Sequence, residues 1–186
     1  MKNVLFLMAS AISLSAAPVV NSVMNAASNL TPVLPNASIA PASIFIVKGT
    51  GLGPAAISID PKPFQNTSLS GTSVSLTVAG TTVSALMYYT SATQVAALLP
   101  SNTPTGGPGT ITVTYNGQSS PATQFRGVVA SNIGFFTLNQ SGQGPAIVTY
   151  PDYTIVSGVK GTPCGAPLTF CGAANPGDTP SSGALA

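Results

Sequence analysis

The chain has 186 residues, of which 44% are hydrophobic, 4% are charged and none is histidine, and its formal net charge is +2. Soluble domains usually carry roughly a quarter charged residues, so Ser, Thr, Asn and Gln must keep this chain in solution. The few bases are scattered, which excludes a basic patch for phosphates, and we expect no nucleic-acid partner. The hydrophobic share is too high for a disordered chain, and the abundant Gly and Pro predict short strands joined by tight turns.

The first segment of the chain, residues 1–17, has the pattern of a signal peptide. Lys2 gives it a positive start, residues 4–14 are mostly apolar, and Ser15-Ala16-Ala17 supplies small residues for cleavage. The alternative is a membrane anchor, but the apolar run is shorter than the roughly 20 residues that a span needs. We therefore predict a secreted protein, located in the extracellular space, at the cell surface or in the periplasm, with no membrane span after cleavage.

Residues 18–40 are predicted to be an extended lead-in segment. Val19, Val20 and Val23 favour one edge strand there, and the prolines that follow keep the remaining residues extended.

Residues 41–130 carry the pattern of a β-sandwich. Val74, Leu76 and Val78 alternate with polar residues and so face a core, and Asn116-Gly117 is a strong signal for a hairpin turn. Short strands at this spacing, without an amphipathic helix, predict an all-β sandwich. The predicted strands are 42–48, 73–78, 83–89, 94–99, 110–115 and 122–129, with a longer polar connection at 56–72.

Residues 131–186 differ from the domain before them. Two short apolar runs, at 135–138 and 146–150, favour a partial second β unit, which a Gly- and Pro-rich tail follows. Cys164 and Cys171 are the only cysteines, and in an exported protein they predict a disulfide that closes a local loop.

The order of several motifs along the chain is similar to that of a known family. The motifs are Asn25-Ala26-Ala27-Ser28, the stretch from Pro41 to Pro54, the strands at 74–78 and 94–100, the run 110–117 with its Asn-Gly, and Gly134-Phe135-Phe136-Thr137-Leu138. Over residues 20–150 this succession resembles the C-terminal domain family of exported proteins from Solibacter and other acidobacteria. The resemblance implies an immunoglobulin-like sandwich of the IPT/TIG type, which has no catalytic residues to carry over. Because members of that family continue into further strands after a segment like Asn175-Pro176-Gly177-Asp178, the resemblance also implies a chain that is truncated within its second β unit.

A glycine-rich loop, Gly49-Thr50-Gly51-Leu52-Gly53, follows a predicted strand, as a phosphate-binding loop does. Its spacing is G-x-G-x-G rather than G-x-G-x-x-G, Pro54 opposes a following helix, and no acidic residue stands about 20 residues later. We therefore interpret it as a tight strand exit with a positive φ at one or more glycines, and we expect no bound cofactor.

The residue types that catalysis needs are scarce. Without histidine no serine has its usual base, and the three carboxylates, Asp60, Asp152 and Asp178, fall in predicted loops. A calcium site formed by Asp60 with Asn66 is an alternative to a plain turn. We predict no catalytic residue, no metal site and no enzyme activity.

Tyr88, Tyr89 and Tyr115 form the candidate ligand face, for sugars or proline-rich chains. Neighbours in a strand point to opposite faces, so we expect one of Tyr88 and Tyr89 in the core and the other exposed. The predicted function is a non-catalytic exported module for adhesion or spacing, whose partner at the cell surface is a protein or a polysaccharide. The alternative is a carbohydrate-binding module that uses exposed Tyr and amide side chains, and the oligomeric state is left open.

Overall fold

The computed structural model describes residues 16–34, 36–139 and 146–147. Most of the predicted signal peptide and all of the predicted cysteine-containing tail lie outside the described residues. The described residues contain no helix, and therefore none that is long and apolar enough to cross a bilayer. Their strands are β1 (Val19–Asn25), β2 (Ile44–Thr50), β3 (Ser58–Ile59), β4 (Ser68–Leu69), β5 (Thr72–Val78), β6 (Thr81–Ser84), β7 (Leu86–Thr90), β8 (Gln94–Leu98), β9 (Gly109–Tyr115), β10 (Gln118–Ser119) and β11 (Thr123–Phe125).

The strands form two antiparallel sheets. The first sheet has the order β1-β2-β8-β7-β3, and the second has the order β10-β9-β5-β4, with β11 also paired to β9 and β6 also paired to β5. Strands distant in sequence are neighbours in both sheets, as β2 and β8 are in the first and β5 and β9 are in the second. This arrangement confirms the predicted immunoglobulin-like sandwich, and β1 is the edge strand predicted from its valines.

The core consists of the side chains that each sheet turns toward the other. Val74, Leu76 and Val78 of β5 are buried as predicted, and Leu76 lies directly opposite Ile111 of β9. Each fully buried side chain of this size stabilises the fold by about 1.5–3 kcal/mol. The first sheet contributes Val23, Phe45, Val47, Met87, Val95 and Ala97 to the same core.

Two hairpin turns share one backbone geometry, and one of them is the predicted turn at Asn116-Gly117. Asn116 and Gly117 have φ values of 47° and 81°, and Ala79 and Gly80 have φ values of 48° and 78°. Two successive positive φ values are typical of the type I′ turn, whose twist matches that of the flanking strands. These turns fix the β9–β10 and β5–β6 registers.

The run predicted as one strand over 83–89 is divided between the two sheets. Thr81–Ser84 pairs with β5 in the second sheet, whereas Leu86–Thr90 pairs with β8 in the first. Ala85 stands at the crossing point, where it is buried and donates its backbone N–H to the Val74 carbonyl at 2.9 Å. The sequence alone suggested a continuous strand because Ala85 carries no turn signal.

Candidate functional site

The glycine-rich loop closes one end of the sandwich over a buried leucine. Leu52 is completely buried in the core, and Gly51 has a φ of 64°, as the interpretation of a tight strand exit requires. A Cβ on Gly49 would collide with the Val19 carbonyl oxygen, and a Cβ on Gly53 would collide with the Thr90 hydroxyl. The glycines therefore allow close packing of backbone around a buried leucine.

Beside Leu52, two buried hydroxyl groups connect the sheets. The Thr90 hydroxyl donates to the Thr72 hydroxyl at 3.0 Å, and the Thr72 hydroxyl donates to the Leu52 carbonyl at 3.1 Å. Both threonines are fully buried, so each hydroxyl must find a partner within the protein. The chain of two hydrogen bonds satisfies them and has a structural role.

Asp60 organises a turn. Its carboxylate accepts hydrogen bonds from the Lys62 backbone N–H and the Asn66 side-chain amide, both at 2.9 Å. The Asn66 carbonyl accepts from the Met87 N–H at 2.7 Å, so the loop is fastened to β7. Since the Asn66 amide donates to Asp60, the pair is arranged as a hydrogen bond rather than as two oxygen ligands. The described residues contain no group of three His, Cys, Asp or Glu side chains that would hold a metal.

The outer face of the second sheet is a surface of hydroxyl groups. Ser73, Ser75 and Thr77 alternate with the core residues of β5, and Thr114, Thr112 and Thr110 lie opposite them on β9. The rows extend to Ser119 on β10 and to Thr82 and Ser84 on β6. Hydroxyls on this face bond each other, as Thr77 does with Thr82 at 2.8 Å. This face is polar and uncharged, and it suits contact with water.

The outer face of the first sheet carries a row of apolar side chains. One outward-facing residue from each of the five strands pairs with its neighbour in the next strand, so that together they form a row across the sheet. We call this the apolar row: Ile59, Tyr89, Ala96, Ile46 and Met24. Met24 and Ala96 are buried, Tyr89 and Ile46 are half-buried, and Ile59 is exposed. The row is therefore covered near β1 and open near β3.

A β-bulge places both candidate tyrosines of β7 outside the core. The register shifts between Met87 and Tyr89, and the two flanking residues, Met87 and Thr90, are fully buried. An extra residue in a bulged strand breaks the alternation of faces, so Tyr88 and Tyr89 turn outward together. Their ring centroids lie 5.5 Å apart, and Phe64 lies 5.3 Å from Tyr88. The expectation that one of the two tyrosines is a core residue is wrong, because periodicity does not reveal a bulge.

These three rings, Phe64, Tyr88 and Tyr89, are named the aromatic cluster below. Gln94 on the neighbouring strand donates its side-chain amide to the Tyr89 hydroxyl. Partial burial raises the pKa of the Tyr89 hydroxyl above its ordinary value, the Gln94 hydrogen bond opposes that rise, and Tyr88 adds to it. Gln94 thus fixes the orientation of one ring of the cluster.

Tyr115 lies apart from the other two candidate tyrosines. It is the last residue of β9 in the second sheet, opposite Thr72, and is half-buried. The structure therefore unites Tyr88 with Tyr89 and adds Phe64, which sequence reasoning missed. Phe64 lies in the turn between β3 and β4 and has a φ of 65°, a conformation that no local pattern in the sequence predicts.

A groove of about 330 Å³ runs beside the aromatic cluster on the first sheet. One side is formed by Ile46, Lys48, Tyr89 and Gln94 of the sheet. The other side is formed by the 26–29 turn and by Phe136, Thr137 and Ile147, which leave the sandwich after β11. The groove is lined by aromatic and aliphatic side chains together with an amide and an amine.

Comparison with known protein families matches residues 28–126 to the IPT/TIG domain. The matched range covers more than half of the chain and contains strands β2 to β11. A comparison with curated proteins finds no match.

Proposed function

Because the chain belongs to the IPT/TIG domain family, we propose that it is an exported, non-catalytic module that binds another macromolecule at the cell surface, for adhesion or spacing. IPT/TIG domains are typically non-enzymatic immunoglobulin-like modules that mediate protein interactions. A protein partner is therefore the first choice.

The difference between the two outer faces carries this proposal. The second sheet presents paired Ser and Thr hydroxyls to solvent, whereas the first presents the apolar row and the aromatic cluster. An exposed apolar surface with aromatic rings is typical of a contact site, and a hydroxyl surface is not. We assign partner binding to the first sheet, at the open end of the row near Tyr88 and Ile59.

Charge has a small part in this contact. In the described part of the chain the charged side chains are Lys48, Asp60, Lys62 and Arg126, and the carboxylate of Asp60 is buried in its turn. Binding through aromatic and aliphatic groups depends little on ionic strength, because salt screens charge and not apolar contact.

The experiment measures binding of the purified mature protein to intact cells of the strain that produces it. We expect Tyr88→Asp to lower the affinity by roughly tenfold or more, as loss of an aromatic anchor does. Thr112→Asp, which puts the same charge on the opposite outer face, should leave binding unchanged. An equal loss of affinity in the Tyr88→Asp and Thr112→Asp variants, or binding that disappears at high salt, would contradict the proposal.

A polysaccharide is the second candidate partner, and the aromatic cluster with the Gln94 amide favours it. Sugars are bound by stacking on aromatic rings and by hydrogen bonds to amide groups, and both occur beside the groove. Affinity electrophoresis of the mature protein in gels containing neutral polysaccharides tests this. Retardation that Tyr89→Ala abolishes and Tyr115→Ala preserves supports a sugar ligand, and equal mobility in all gels excludes those polysaccharides.

Export and the closer family relationship are parts of the same proposal. The segment 1–17 supports export, and the motifs over residues 20–150 support a place beside the C-terminal domains of exported acidobacterial proteins. Expression of the full reading frame in a bacterial host, followed by mass determination of the exported protein, tests the first part. An uncleaved product that stays in the cytoplasm would overturn it.

A further inference from the structure

Lys48 is a half-buried cation on the outer face of the first sheet. Phe45 and Val47 of β2 turn into the core, so the side chain of Lys48 turns outward, into the groove and beside Ile46. A charge that is partly removed from water loses some of its hydration, and an opposite charge nearby compensates for that loss. Lys48 therefore attracts an anion more strongly than a lysine on an open surface does.

The described part of the chain contains no carboxylate that is paired with Lys48. In residues 16–34, 36–139 and 146–147 the one carboxylate belongs to Asp60, which follows β3, three strands away from β2. It is buried in its turn, where it accepts hydrogen bonds from the Lys62 backbone N–H and the Asn66 side-chain amide. The Lys48 ammonium thus faces the groove without a carboxylate from these residues.

A second hydrogen-bond donor lies on the same side of the groove. Gln94 stands directly opposite Lys48 in the β2–β8 pair, where opposed Cβ atoms are about 5 Å apart. The Gln94 side-chain amide donates to the Tyr89 hydroxyl, which keeps its own proton to donate to another acceptor. An ammonium and a hydroxyl on one side of a groove are suitable donors for a carboxylate.

Apolar side chains form much of the opposite side of the groove. Phe136 is 56% exposed and Ile147 is 38% exposed, and both face Ile46 across the groove. Their exposed surface is stabilised when an apolar group covers it. The groove volume of about 330 Å³ is at the small end of the range for ligand sites, which suits one ring or one branched chain.

We propose that the groove binds a small monocarboxylic acid with an apolar body, such as an aryl or branched alkyl acid. The Lys48 ammonium and the Tyr89 hydroxyl hold its carboxylate, and its body lies between Ile46 and Phe136. Lys48 is the one charged side chain among the described residues that line the groove, so it matches a single negative charge. This site takes a small ligand and does not depend on the proposed macromolecular partner.

Asn25 holds the outer wall of the groove in place before a ligand binds. Its side-chain carbonyl accepts hydrogen bonds from two backbone N–H groups of the 26–29 turn. Its side-chain amide donates to the Asn132 carbonyl at 3.2 Å, which fixes the segment that leads to Phe136. A wall that is already ordered reduces the entropic cost of binding.

Titration of the protein with phenylacetate at neutral pH, followed by nuclear magnetic resonance, tests the role of the charge. We expect saturable shifts of the Lys48, Tyr89 and Gln94 amide signals, with a dissociation constant on the order of 1 mM for a ligand of this size. Lys48→Met should weaken binding roughly tenfold, because it keeps an apolar stem and removes the ammonium. Lys62→Met removes an exposed lysine outside the groove and should leave the affinity unchanged.

Phenylethanol, a neutral ligand of similar shape, separates the charge from the apolar fit. It should bind the unmodified protein and the Lys48→Met variant equally, because it carries no carboxylate. Equal affinities of the Lys48→Met and Lys62→Met variants for phenylacetate would overturn the proposal. An equal loss of both ligands in Lys48→Met, or the absence of saturable shifts at the groove, would do the same.

A second pair of variants tests the apolar wall. Phe136→Ala should weaken phenylacetate and phenylethanol alike, by roughly fivefold, because it removes a ring that covers the body of either ligand. Leu138 has the same exposure of 56% and does not line the groove, so Leu138→Ala should leave both affinities unchanged. Equal affinities of the Phe136→Ala and Leu138→Ala variants would refute the placement of the apolar body against Phe136.

Discussion

The hydroxyl of Thr90 donates a hydrogen bond of 3.0 Å to the hydroxyl of Thr72, and the two residues belong to different sheets. Both are fully buried, at the end of the sandwich that the glycine-rich loop closes over Leu52. The bond is therefore a polar link between the two sheets, and its loss is costly because it leaves a buried hydroxyl without a partner.

Thr72→Val should lower the free energy of unfolding by about 1–3 kcal/mol, because it leaves the Thr90 hydroxyl and the Leu52 carbonyl without their partner. Thr90→Val should cost less, since Thr72 still donates to Leu52. Urea unfolding of both variants and of the double variant measures the coupling, and the double variant should lose less than the sum. Strictly additive losses would show that the two hydroxyls do not interact.

Gly49→Ala should destabilise the protein by about 1–3 kcal/mol, because the new methyl group meets the Val19 carbonyl and forces β1 away from β2. Gly107→Ala is the matched control, since a Cβ there has no neighbour within 4 Å. Thermal unfolding compares the two. A Gly49→Ala protein as stable as the Gly107→Ala protein would refute the close approach of β1 to the loop.

Asn25→Ala should destabilise the protein by about 1–3 kcal/mol, because one side chain serves both the turn after β1 and the segment after β11. The side-chain carbonyl of Asn25 accepts hydrogen bonds from the Ala27 and Ser28 backbone N–H groups. Its side-chain amide donates to the backbone carbonyl of Asn132. Asn21→Ala removes an exposed amide from the same strand and should have little effect. Chemical unfolding distinguishes the two, and equal stabilities would exclude the anchoring role of Asn25.

Tyr89 should ionise at a pH above the ordinary tyrosine value of about 10, because partial burial disfavours the charged form. A raised pKa in the folded state means that the folded protein keeps this proton to higher pH than the unfolded chain. The resulting stabilisation is complete below about pH 10 and is lost as pH rises through the raised pKa. Urea midpoints across alkaline pH should fall more steeply for the unmodified protein than for Tyr89→Phe, and parallel curves would contradict the shift.

Cys164 and Cys171 should form a disulfide in the exported protein, a prediction that rests on the sequence alone. Mass spectrometry of unreduced protein should find a peptide in which the two residues are bridged. Two free thiols after isolation from the exported fraction would show that the prediction is wrong.

Much of the fold followed from local patterns in the sequence. The alternation of Val74, Leu76 and Val78 predicted one face of the core, and Asn116-Gly117 predicted a hairpin turn, because both depend on residues adjacent in the chain. Local patterns did not predict that the run 83–89 is divided at Ala85 between the two sheets. A change of sheet depends on which distant strand accepts the backbone hydrogen bonds.

The sequence by itself determined the class of the protein: little charge, no histidine, glycine spacing unlike a phosphate loop, and strands short enough for a sandwich. The candidate site was decided only by tertiary structure. A bulge at Tyr88 turned two neighbouring rings to one face, register placed Ile59, Tyr89, Ala96, Ile46 and Met24 in one row, and Tyr115 fell in the other sheet. Composition and periodicity are local properties, whereas a surface is made by residues that pairing brings together from distant parts of the chain.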